Sequence, residues 1–294
     1  MDTRFVIASD EGVSRYEDGL ATELAHDPAA IAFDDGAGGA LMQFTEGFHA
    51  STEEDTSIYH ARVATEEPVP VVEGNVDVAL SLHGTVVGDG RVLAVYSTRR
   101  GTTPEDTREE LFTYDVGTGD TRRVAEIGGW EEGPVSVSSG GGLHLLNATA
   151  GASRWFWFLG ADGAPIDLEH NPLPPDEPCV DDVTCPDHPA LDPTGRHLAY
   201  TRLVPGDDGV IRSWELVVLD LRSGQMLLRL PQGYGPGLAP RSVDMVGGLV
   251  VVSRGSADAE RPTWSEPLVI DLSEDQPTLS TLPVRGLATL ARTI

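Results

Sequence analysis

Leu216-Val217-Val218-Leu219-Asp220-Leu221 passes through Arg222-Ser223-Gly224 into Gln225-Met226-Leu227-Leu228-Arg229-Leu230. Two short apolar runs split by a tight polar turn read as a β-hairpin, because runs of this length flanked by turn residues suit buried strands. The same pattern recurs at 13–19 into 21–24, 58–62 into 68–72, 111–116 into 121–125, 155–159 into 165–168 and 268–272 into 278–282. Six copies in 294 residues give 294/6 = 49 residues per copy. A hairpin unit cannot bury both faces alone, so such units must stack on their neighbours.

Another apolar pair precedes five of the six hairpins: 30–33 with 40–44, 76–80 with 92–96, 135–137 with 143–146, 190–191 with 198–200 and 242–245 with 249–252. Their connections, Asp34-Asp35-Gly36, Gly88-Asp89-Gly90, Gly140-Gly141-Gly142, Pro193-Thr194-Gly195 and Gly247-Gly248, carry the Gly and Asp that tight hairpins need for positive φ. The ends complement each other. The first copy begins at Phe5-Val6-Ile7-Ala8-Ser9 without a leading strand, and Leu287-Ala288-Thr289-Leu290-Ala291 follows the last copy as an orphan. The expected fold is therefore all-β: a six-bladed β-propeller of four-stranded antiparallel blades, one domain over residues 1–294. Its ring is closed by the C-terminal strand joining the three N-terminal ones, which leaves only short, protected edges.

With 47 acidic residues against 20 basic ones, the net charge is −27. Nucleic acid and anionic bilayers would be repelled over most of such a surface. All 20 basic residues are Arg, consistent with the codon bias of a GC-rich genome. No apolar run approaches the roughly 20 residues of a membrane-spanning helix, and no stretch has signal-peptide form. Either the chain is a native soluble protein, or an upstream anchor has been removed.

Pro189-Ala190-Leu191-Asp192-Pro193-Thr194-Gly195-Arg196-His197-Leu198-Ala199-Tyr200-Thr201 resembles the P-x-[WF]-S-P-D-G-[RK]-x-[IL]-[AV]-[FY] repeat of TolB-like and WD40-like (PD40-type) propellers. Leu191 stands where the motif usually has an aromatic residue, and the turns at 34–36 and 140–142 are degenerate copies. The resemblance implies the propeller fold and a role in binding or scaffolding, and with the composition it points to an actinobacterial source.

The expected long connections all leave the same ends of the strands: 45–57, 98–110, 203–213 and 254–266 between second and third strands, and 128–134, 170–188 and 232–241 between blades. Functional residues concentrate on such loops. They are acidic, and they carry Trp130, Tyr234 and Trp264, side chains favoured as interface anchors. The expected binding residues are those three aromatics with Asp181, Asp182 and Asp187. Trp155 and Trp157, two apart in one strand, share a face and are expected to pack the blade.

Cys179 and Cys185 lie in the longest inter-blade connection, a Pro-rich segment. Two cysteines clipped around an otherwise structureless loop are expected to form a disulfide of an exported protein. The alternatives are free thiols or a zinc site with His170 and His188, whose thiolate and imidazole ligands suit zinc. Calcium could be held by Asp181, Asp182 and Asp187, but the chain has no Asp-x-Asp-x-Asp-Gly loop, and no cofactor is expected. Gly-x-Ser-x-Gly, P-loop and His-Glu-x-x-His signatures are missing, and no catalytic residue is assigned. The expected function is a non-catalytic extracytoplasmic binding or scaffolding module. Its partner would be a protein or cell-envelope ligand with a basic or mixed surface, bound without direct membrane insertion. The alternative is a propeller hydrolase or calcium-dependent lactonase acting on a sugar or lactone at the axial channel.

Overall fold

The computed structural model describes residues 3–26, 28–44, 57–62, 66–74, 78–101, 108–127, 134–150, 153–180, 184–235, 238–256, 263–273 and 276–292. Among these residues there is no helix, and the strands form six four-stranded antiparallel sheets, the blades of a six-bladed β-propeller. The chain divides into two compact units, 1–129 with 286–294 and 130–285, each built from three blades.

In the first unit, blade 1 holds β1 (Arg4–Ser9), β2 (Gly12–Glu17) and β3 (Leu20–Ala25), with β24 (Leu287–Leu290) added beside β1. Blade 2 holds β4 (Ala29–Asp34), β5 (Ala40–Phe44), β6 (Ile58–Ala61) and β7 (Val69–Val72). Blade 3 holds β8 (Val78–Gly88), β9 (Arg91–Arg100), β10 (Arg108–Asp115) and β11 (Thr121–Glu126). In the second unit, blade 4 holds β12 (Pro134–Gly140), β13 (Leu143–Ala150), β14 (Ser153–Gly160) and β15 (Pro165–Ile166). Blade 5 holds β16 (Asp187–Leu191), β17 (His197–Pro205), β18 (Ile211–Asp220) and β19 (Met226–Gly233). Blade 6 holds β20 (Ala239–Val246), β21 (Leu249–Gly255), β22 (Leu268–Asp271) and β23 (Thr278–Thr281).

The mixed-end blade forms as the sequence predicts. Phe5 lies opposite Leu290, Val6 opposite Thr289, Ile7 opposite Ala288 and Ala8 opposite Leu287. Gly286, at φ +149°, opens this strand, and a Cβ there would stand 2.5 Å from the Ala8 carbonyl oxygen. Beyond β24, the Arg292 amide donates to Asp34 Oδ2 at 3.1 Å and its Nε to the Thr85 carbonyl at 3.2 Å, so the end of the chain touches blades 2 and 3 as well.

Why the apolar runs are continuous rather than alternating is clearest in blade 5. Leu216 and Val218 pack into the cluster shared with Val250, Val252 and Ile270 of blade 6, while Val217 between them joins Phe156 and Phe158 of blade 4. Successive side chains of a strand point to opposite faces, and a blade between two others buries both. Each fully buried Leu or Val stabilises the fold by roughly 1.5–3 kcal/mol. Outer strands have one neighbour fewer, and all four residues of β23 are exposed.

Two departures from the sequence expectation bear on the site. The expected connections at 98–110, 203–213 and 232–241 are shorter, because the flanking strands run on: Val204 still pairs with Ser213 in one long hairpin. In blade 4 the outer strand is only Pro165–Ile166. Pro172, Pro174 and Pro175, with no N–H to donate, continue the edge as an irregular segment that bonds β14 at intervals, Phe156 N to Leu173 O at 2.7 Å and Arg154 N to Cys179 O at 2.8 Å.

Candidate functional site

Leading strands β4, β8, β12, β16 and β20 each slip register against the next strand of their blade near the loop-bearing end. A bulge of this kind re-aims a side chain and frees backbone groups. In β8 the extra residue is His83, whose Nε2 lies 2.9 Å from Ser97 Oγ, and Ser97 donates to Glu109 Oε1 at 2.9 Å. Burial pushes the His83 pKa down to about 4. Gln43 of blade 2 takes up the backbone beside this bulge, donating to Leu80 O at 3.0 Å and accepting from Leu82 N at 2.9 Å. In β16 the irregularity spans His188 and Pro189, and in β20 it is Arg241.

The second unit gathers the most chemistry. Cys179 and Cys185 are joined by a disulfide with an S–S distance of 2.07 Å. Both sulfurs are spent in that bond, so the zinc alternative and the free-thiol alternative fall. The antiparallel bridge between Cys179 and Arg154 fixes one end of the clip to β14, and Cys185 is buried at the other. Two residues on, Asp187 Oδ2 forms an ion pair with Arg154 Nη1 at 2.7 Å, and Oδ1 accepts from Asn147 Nδ2 at 3.1 Å and the His188 amide at 2.8 Å. Burial works to raise the Asp187 pKa, but the charges of His188 and Arg154 and their hydrogen bonds hold it below the usual carboxylate value. His188, at φ +51°, donates from its ring to the Pro240 carbonyl. Burial chiefly lowers its pKa, with Arg154 and Arg241 acting the same way and the Asp187 charge opposing them. Arg241 Nη2 then donates to the Ser256 carbonyl. Beyond β21, Gly255 pairs with Trp264, and the Ser265 amide donates to Arg254 O at 2.9 Å. One hydrogen-bonded string thus runs from the disulfide clip through blades 4, 5 and 6 to Trp264.

Trp264 is partly exposed, held beside Gly255 and the Arg241 stem. Tyr234 is also partly exposed, but its ring packs on the core between blades 5 and 6, and its amide donates to Arg212 O at 2.9 Å. Asp187 is committed to Arg154, Asn147 and its neighbour's amide. Trp130, Asp181 and Asp182 lie outside the described residues. Trp155 and Trp157 share a face of β14, while the fully buried large side chains of that strand are Phe156, Phe158 and Leu159. Sequence reasoning missed Arg154, Arg241 and the role of Asn147, which has glycosylation-site form but is fully buried against Asp187, and it weighed His188 only as a zinc ligand. For His188 and Arg241 the available signal was a polar residue near the start of an otherwise apolar leading strand. Among the described residues, no group of three or more His, Cys, Asp or Glu side chains is placed to hold a metal ion.

No protein-family model matches the chain, and no curated protein sequence matches it. Solved structures do. TolB from Acinetobacter baumannii is similar over 98% of this chain and 66% of its own length, at 10% identity and a TM-score of 0.56. A nidogen/laminin complex chain is similar over 99% of both chains at 13% identity and a TM-score of 0.55. An oligogalacturonate lyase in complex with manganese is similar over 91% of this chain and 69% of its own, at 12% identity and a TM-score of 0.52. The chain therefore spans about two thirds of the TolB and lyase chains it resembles. At these identities the likeness is one of fold: a TolB-like six-bladed propeller.

Proposed function

We propose that this chain is an extracytoplasmic binding or scaffolding module whose working surface is the loop-bearing end of its second unit. The observation that supports this most is the Cys179–Cys185 clip and the ladder that fixes it to β14. Ordering a mobile loop on association costs free energy, and a loop already held in place avoids that cost. Among the described residues of the segment, Leu173 and Cys185 are buried and Cys179 packs against the same core as Leu173. Disulfides persist in oxidising compartments, which favours a site of action outside the cytoplasm. The acidic loops favour a partner with a basic or mixed surface, and an association that weakens as salt screens it.

The test is site-specific photocrosslinking in a native cell-envelope fraction, with the crosslinker at Val180, at Trp264, or at Leu279 on the outer strand of blade 6. Crosslinks to one partner from Val180 and Trp264, absent from Leu279 and reduced in C179S/C185S, support the proposal. Crosslinking confined to Leu279 overturns it. Cleavage of a sugar or lactone substrate by the purified chain would favour the enzymatic alternative instead.

A further inference from the structure

At the opposite, tight-turn end of blades 5 and 6 lies a cleft of about 660 Å³, within the size range of small-molecule sites. One wall is the turn that carries the family-like repeat. The Asp192 carboxylate accepts the Arg196 and His197 amides at 2.8 and 2.9 Å on Oδ1, and Thr194 Oγ1 at 2.7 Å on Oδ2. Oδ2 also lies 3.2 Å from His197 Nδ1. A carboxylate can only accept, so in the neutral imidazole the proton lies on Nδ1 and Nε2 is the ring's acceptor edge. Beside it, Arg196 spends Nε and Nη2 on Asp220 Oδ2, at 2.9 and 2.6 Å, and keeps Nη1 with its charge already balanced. The rest of the lining is apolar or bare. Met245 is buried, Leu227 is 43% exposed and Leu272 completes that side. Gly247 and Gly248 form the facing hairpin tip, and a Cβ on Gly247 would meet nothing within 4 Å.

We propose that this cleft binds a small planar hydroxy-aromatic molecule. A phenolic hydroxyl donates to His197 Nε2 and accepts from Arg196 Nη1, satisfying one acceptor and one donor with a single group. Its ring lies between the side-chain-free glycine tip and Leu227, Met245 and Leu272. The site is independent of the loop-bearing surface at the other end of the same strands.

The experiment is an NMR titration of the full chain with 4-methylphenol, and with toluene as the probe lacking the hydroxyl. The expected result is saturable shifts at the Gly247 and Gly248 amides and at the His197 side-chain nitrogens, with toluene about tenfold weaker. H197F, which keeps a ring but loses Nε2, should weaken 4-methylphenol binding about tenfold. L227W, which leaves the Asp192–His197 pair intact and fills the cleft, should abolish it in a chain whose thermal melt is unchanged. Undiminished binding to L227W, equal affinity for toluene, or no shift at these groups up to the solubility limit of 4-methylphenol overturns the proposal.

Discussion

At the scale of single residues, acidic side chains in this protein serve as turn-builders. Asp115 Oδ1 accepts the Gly117 and Thr118 amides, and its Oδ2 lies 3.0 Å from Arg91 Nη1. Asp220 repeats the arrangement two blades later with the Arg222 and Ser223 amides and Arg196. The Arg196 hydrogen bond first, then the amides, hold the Asp220 pKa at about 2 against 3.8 for an ordinary carboxyl. A folded-state pKa below the unfolded one contributes stability that is complete above pH 4 and is lost as pH falls through 2. Thermal melts between pH 5 and pH 2 should therefore show D220N losing less stability than the wild type over that interval, and a parallel fall in both would refute the assignment. Gly140 and Gly141 answer a different constraint. A Cβ on either would lie 1.9 Å from a carbonyl oxygen of the blade 5 turn, that of Asp192 or Thr194. G141A, at φ +58° as well, should cost about 2 kcal/mol or more in urea unfolding, whereas G90A, with nothing within 4 Å, should cost less.

At the scale of elements, the disulfide clip and the irregular edge of blade 4 form one device. The clip closes a loop of six residues' separation, for which chain entropy assigns about 2–3 kcal/mol. C179S/C185S should lose about that much, and hydrogen exchange should rise along 171–180 and at Arg154 and Asp187 while β17 and β18 stay protected. Exchange rising through all of blade 5 would show that the clip holds the core as well as the loop. The strands themselves were legible in the sequence, because both faces of a central strand are buried and the apolar run of 216–219 has no other packing solution. The clip was legible as well, from two cysteines in one Pro-rich loop. The register slips at His83, His188 and Arg241 were not, since a bulge depends on where the neighbouring strand supplies its hydrogen bonds and leaves no mark in composition. The Arg154–Asp187–Asn147 string was hidden for a related reason: its members are 40 residues apart in sequence at Asn147 and Asp187 and meet only because blades 4 and 5 stack.

At the scale of the molecule, the six-fold repeat and the offset ends together specify the blade count and the mixed-end blade. Charge and loop composition could not assign a partner, because 47 acids include many already committed to turns and ion pairs such as Glu215 between Arg202 and Arg229. Removing residues 286–294 should unpair β1 along Phe5, Val6, Ile7 and Ala8 and remove the Arg292 contacts to Asp34 and Thr85. The expected outcome is loss of exchange protection across blade 1 and the leading strand of blade 2, and a lower thermal midpoint. Restoration by a synthetic peptide of residues 286–294 added in trans would confirm that the strand itself is what is missing. An unchanged midpoint would refute the structural role of β24.

The pairing of β1 with β24 also sets a timetable. Thr289 follows Val6 by 283 residues and yet bonds to its carbonyl. At roughly 5–20 residues per second, a ribosome needs about 15–60 s to go from β1 to its partner strand. During that wait the nascent chain carries an apolar strand with a bare hydrogen-bonding edge. Blade 1 is begun before the other five and can be finished only after them, so the propeller completes its fold only once Leu287–Leu290 has been made.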